Sequence, residues 1–73
     1  MNFNVRIDGS KLIIFNVVNG AIHKVISLPT GATYSGPIVS GDVATVSIHY
    51  KNGTNRSRTY NLKTGSLKSD IVM

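Results

Sequence analysis

Residues 60–71 read YNLKTGSLKSDI, and residues 15–26 read FNVVNGAIHKVI. At an offset of 45, Phe15 stands over Tyr60, Asn16 over Asn61, Val17 over Leu62, Gly20 over Gly65, Ile22 over Leu67 and Ile26 over Ile71. Each copy is an apolar run, a polar turn ending in glycine, and a second apolar run. That order predicts a β-hairpin. Asn16, Asn19 and Gly20 form the first turn; Asn61, Thr64 and Gly65 form the second. An Asn side chain bonds the backbone just ahead of it, and the glycine accepts a positive φ.

The same offset sets Phe3 over Ile48 and Val5 over Tyr50. The inward faces are then expected to agree in phase across three strands of each copy, because a one-residue slip would exchange the two faces. Phe3, Val5 and Ile7 alternate with polar neighbours, and Asp8-Gly9 reads as a type I′ turn. Lys11–Asn16 and Ala21–Leu28 read as strands. LPTGATYSGP (28–37) breaks the alternation with both prolines and reads as a surface loop. Ile38-Val39 is a very short strand turned at 40–42. Val43–Tyr50 alternates with Ala44, Val46, Ile48 and Tyr50 inward. KNGTNRS (51–57) reads as a polar loop, followed by strands Arg58–Leu62 and Ser66–Val72. A single domain over 1–73 results, with an incomplete repeat at 1–28, a loop at 29–35 and a second repeat at 36–73. The fold class is all-β: an antiparallel meander of about seven short strands in two repeats of about 45 residues.

A chain of 73 residues buries only about 60% of its unfolded surface. Such domains usually need a staple. There is no cysteine, which removes disulfides, thiolate zinc sites and thiol catalysis. Partner chains are the natural staple that is left. The apolar fraction of 41% supports a core. No apolar run approaches the roughly 20 residues of a membrane helix, and Met1-Asn2-Phe3-Asn4 lacks the character of a signal peptide. A soluble protein of undecided compartment is expected. The net charge of +5 suits an acidic partner as well as plain solubility.

GPIVSGDVATV (36–46) followed by YNLKTGSL (60–67) resembles a β-propeller repeat of the PQQ-like, quinoprotein type. Asn61-x-x-Thr64-Gly65 has the family's spacing, and Asn16-x-x-Asn19-Gly20 is a weaker copy. The resemblance implies one whole blade over 36–72 and three strands of another over 1–28. Two features depart from it. Ser69 stands where the family carries a tryptophan that locks neighbouring blades, and no residue matches a quinone ligand. The resemblance therefore implies shape without dehydrogenase chemistry or a cofactor. Propellers have at least four blades, so about one and a half blades call for further copies, unless the strands close as a small barrel or sandwich.

The candidates for chemistry are few. His23 and His49 have no second ligand at metal spacing and read as surface histidines. Asp8, Asp42 and Asp70 are the only carboxylates, and the first two flank glycines as turn formers. No metal site and no enzyme activity is expected. Lys51, Arg56, Arg58, Lys63 and Lys68, with Tyr50 and Tyr60 nearby, form a candidate nucleic-acid-binding face. Solvated strand edges are the plainer reading. Tyr34 in the 28–37 loop is a candidate contact for a protein partner. The expected function is a non-catalytic structural or protein-interaction subunit that forms a homo-oligomer. A small viral structural or accessory protein fits that texture. Nucleic-acid binding is the alternative.

Overall fold

The computed structural model describes residues 3–73 as seven strands: β1 (Phe3–Asp8), β2 (Lys11–Asn16), β3 (Ile22–Ser27), β4 (Ala32–Ser40), β5 (Val43–Tyr50), β6 (Asn55–Asn61) and β7 (Leu67–Val72). They form two antiparallel sheets, ordered β1-β2-β3 and β4-β5-β6-β7. The all-β meander of seven strands is as the sequence implies.

The two hairpins β2–β3 and β6–β7 are one structure repeated. Leu12 pairs with Ile26, and Ser57 with Ile71. Each pairing slips at the same place, between Ile14 and Phe15 in one and between Thr59 and Tyr60 in the other. The turns match bond for bond. Asn16 N–H donates to the Ala21 carbonyl as Asn61 N–H does to Ser66, and Gly20 N–H donates to Asn16 as Gly65 does to Asn61. Asn16 Oδ1 accepts from Val18 N–H at 2.8 Å, and Asn61 Oδ1 accepts from Lys63 N–H at 2.8 Å. Even the hairpin ends agree: Leu28 N–H donates to Ser10, and Met73 N–H to Asn55. The six turn residues do the work their chemistry allows. Asn19 Oδ1 accepts from Ala21 N–H, and Thr64 Oγ1 accepts from Ser66 N–H.

The strands before these hairpins obey a different offset. Phe3 pairs with Asn16, whereas Val43 pairs with Asn61. Phe3 therefore corresponds to Val43 and Val5 to Thr45, not to Ile48 and Tyr50 as the constant offset of 45 predicts. The cause is loop length: Gly9-Ser10 joins β1 to β2, and residues 51–54 join β5 to β6. The first turn is also not type I′. Asp8 pairs with Lys11, so Gly9-Ser10 are its central residues, and only Gly9 has positive φ (+61°). A glycine first followed by a residue of negative φ is the type II′ pattern.

Two expected loops are partly strands. Residues 32–40, inside and beyond the loop read at 28–37, form β4 against β5. Ala32 and Tyr34 face inward between exposed Thr33 and Ser35, an alternation that small polar residues conceal. The ladder breaks between Ser35 and Ile38, where Gly36-Pro37 stand. Gly36 has φ of +94°, and a Cβ there would meet Ile38 N at 3.2 Å and Thr45 O at 3.3 Å. The irregularity thus needs glycine. Likewise β6 begins at Asn55 inside the expected loop 51–57.

The sheets pack around Val5, Leu12, Ile14 and Leu28 from the first repeat and Ala44, Val46, Tyr60 and Leu62 from the second. Ile48 is fully buried as well, whereas Tyr50, expected inward, is half-exposed. Leu12 and Ile14 correspond to Ser57 and Thr59, which lie on the outer face of the second sheet. Equivalent faces therefore do not meet. The sheets stack front to back, as successive repeats of an array do.

The outer face of the second sheet is polar at the equivalent positions, whereas that of the first is mixed, with Ile13, Phe15 and Val25 on it beside Asn4, Arg6 and Asp8. On the second sheet, Thr45, Ser47, Ser57 and Thr59 replace Val5, Ile7, Leu12 and Ile14. On the first, Asn4, Arg6 and Asp8 replace Ala44, Val46 and Ile48. The second sheet in this respect resembles the terminal member of a repeat array, which carries a polar outer face.

Candidate functional site

Exposed apolar side chains gather on edge strands. β3 and β7 each end their sheet. Ile22 and Val25 stand exposed on β3, and Leu67, Ile71 and Val72 on β7, Ile71 at 59%. The two edges lie on the same side of the stack. His23 Nε2 donates to the Lys63 carbonyl at 2.7 Å, which ties β3 to the β6–β7 turn. The Lys24 stem lies where a Cβ on Gly65 would be, 3.3 Å away. On the opposite side β4 runs beside β1. His23 also stacks on Phe3, with ring centroids 4.4 Å apart. It is a structural clasp, a role its apolar neighbours Ile22 and Val25 did not reveal.

The five candidate nucleic-acid cations do not form one face. Arg56 and Arg58 project on the same side of β6 as buried Tyr60, and both bind Asp70. Arg56 Nε lies 3.0 Å from Asp70 Oδ1, and Arg58 Nε lies 3.3 Å from Oδ2. Lys63 lies 3.8 Å from Asp42 at one end of β6, and Lys51 is in the loop at the other. Lys68 is exposed on β7. β6 has seven residues and so spans roughly 20 Å, which separates Lys51 from Lys63. A strand hides this from the sequence, because neighbours in a loop would have clustered.

Asp70 receives two guanidinium groups. The hydrogen bond from Arg56 is the principal cause that holds its carboxyl below the usual carboxylate range, and the charges of Arg56 and Arg58 act in the same sense. A carboxyl depressed in the folded state stabilises it fully above the unfolded pKa, and that contribution is lost as pH falls through the folded value. Asp70→Asn is therefore expected to flatten the acid limb. Melting temperatures across the acid range should fall more steeply for the wild type than for the variant. Parallel curves would show that the triad contributes nothing.

Tyr34 is not an exposed anchor. It is half-buried against the core, and its hydroxyl donates to the Pro29 carbonyl. The tyrosine fastens the link from β3 to β4 and is not free for a partner.

His49 sits between two other strands. Its Nε2 lies 2.9 Å from Ser35 Oγ, and its Nδ1 lies 2.9 Å from Asn55 Oδ1. Neither partner was evident in the sequence, since Ser35 and Asn55 both fell in expected loops. Among the described residues no three His, Cys, Asp or Glu side chains gather to hold a metal ion, and no helix is long and apolar enough to cross a membrane. Comparison with known protein families, with curated proteins and with solved structures finds no match to this chain.

Proposed function

We propose that this chain is a structural, protein-interaction subunit that assembles with copies of itself through the β3/β7 edge. The supporting observation is that two strand edges on the same side of the stack are unpaired and each carries exposed apolar residues, Ile22 and Val25 on β3 and Leu67, Ile71 and Val72 on β7. An unpaired edge offers a row of backbone donors and acceptors to another strand. Apolar side chains beside it supply the gain on burial, about 1.5–3 kcal/mol each when fully covered. A cysteine-free chain of 73 residues benefits from such a staple. The propeller-like resemblance fits a subunit whose repeats are completed by neighbours.

Light scattering at micromolar concentration tests this reading. The expected mass is a multiple of 7.9 kDa, and Val25→Lys with Ile71→Lys should reduce it to the monomer. A wild type that is folded and monomeric under those conditions overturns the proposal.

A further inference from the structure

Ser35, His49 and Asn55 come from three adjacent strands, β4, β5 and β6. All lie on the hydroxyl-rich outer face, where Thr33 opposes His49, Ser35 opposes Ser47, and His49 opposes Asn55. An amide oxygen can only accept, so the bond to Asn55 Oδ1 places the ring proton on Nδ1. Nε2 then presents its lone pair, and the Ser35 hydroxyl donates to it. Nucleophile, base and orienting group follow in the order that acyl transfer requires. Ser35 is exposed to reagents, while His49 is half-buried. A cavity of about 280 Å³ opens beside the imidazole, lined by Thr33, Tyr50 and Lys51 among others. Ser35 is not part of that lining, so the cavity adjoins the imidazole and not the hydroxyl itself.

We propose that Ser35 is a nucleophile for small activated esters, with His49 as its general base and Asn55 as the residue that positions the imidazole. Ser35 Oγ bonds to the ester carbon as its proton passes to His49 Nε2. The carbonyl π pair moves to oxygen, and the donor this proposal gives that oxyanion is the hydroxyl of Ser47, the residue paired with Ser35 across the ladder. Collapse breaks the bond to the leaving alcohol, which takes the proton from Nε2. Water then attacks the acyl carbon, giving its proton to His49, and Ser35 departs with that proton. Both halves conserve electrons and use only ester and water. The site does not depend on assembly.

The test treats the 73-residue chain with a fluorophosphonate and, separately, with p-nitrophenyl acetate, and maps adducts by peptide mass spectrometry. One phosphonyl adduct on Ser35 is expected. His49→Gln should slow its formation by about 100-fold, the scale of a general base. Asn55→Ala should slow it less, and Asn55→Asp, which accepts the same N–H, should restore it. Ser35→Ala should remove the adduct and the associated release of nitrophenol. Circular dichroism and melting must match the wild type for each variant. If His49→Gln fails to fold, the Asn55 pair decides alone. Absence of an adduct on Ser35 overturns the proposal. So does equal labelling in His49→Gln, or in Asn55→Ala and Asn55→Asp. Unchanged nitrophenol release in Ser35→Ala also overturns it, by placing the nucleophile on the imidazole itself.

Discussion

Ile14→Thr is expected to lower the melting temperature by about 10–25 °C, and Thr59→Ile to leave it nearly unchanged. The two positions are equivalent in the repeated hairpin, each next to the same slip in the ladder. They differ only in which side of their sheet is covered. Ile14 is wholly buried between the sheets, among Val5, Leu12, Ala44 and Leu62. Threonine there removes apolar contact and introduces a hydroxyl into a site without polar side chains. Together these cost about 2–4 kcal/mol, and each kcal/mol moves a domain of this size by about 4–8 °C. Thr59 is half-exposed and bonds Thr45 Oγ1 at 3.1 Å, a pair that water can replace. Reciprocal substitutions with equal effects would show that the sheets do not stack front to back.

The same pair of residues explains how much of the fold can be read from the chain. The hairpins were legible because turn chemistry is local: Asn16 and Asn61 bond their own turns, and the glycines close them. The stacking was not legible. At a constant offset Val5 falls on Tyr50, two residues suited to a core, and the pattern looks consistent. The register instead follows from the β5–β6 loop, which is longer than the Gly9-Ser10 turn, and loop length sets which strand faces match. Once the register is known, the substitution of Thr45, Ser47, Ser57 and Thr59 for Val5, Ile7, Leu12 and Ile14 is plain. β4 escaped notice for another reason. Its alternation of Ala32, Thr33, Tyr34 and Ser35 carries little contrast in hydrophobicity, and Gly36-Pro37 interrupt it. The Ser35–His49–Asn55 cluster was hidden by the same omission, since it needs β4 and the start of β6 beside β5. The pairing of Arg56 and Arg58 with Asp70 was not legible either, because it needs the register between β6 and β7.

Thr45→Val, Ser47→Ile, Ser57→Leu and Thr59→Ile, made together, are expected to turn the outer face of the second sheet into an association surface. Each change copies the residue at the equivalent inner position of the first sheet. The backbone tolerates these side chains there, since the same ladder already carries them, and three of the four are β-branched residues suited to strands. Ile38 flanks the altered strands on that face and extends the apolar patch on the side away from β7. Covering all four new side chains yields on the order of 6–12 kcal/mol gross, against association costs of about 4–15 kcal/mol. The two ranges overlap, so weak, concentration-dependent stacking is expected. The measurement belongs in the Val25→Lys, Ile71→Lys background, so that association through the β3/β7 edge does not mask it. Light scattering should then give a mass above that of the background at equal concentration, and a kosmotropic salt should raise it further. An unchanged mass with an intact fold would mean that the hydroxyl side chains are not what keeps this face from stacking.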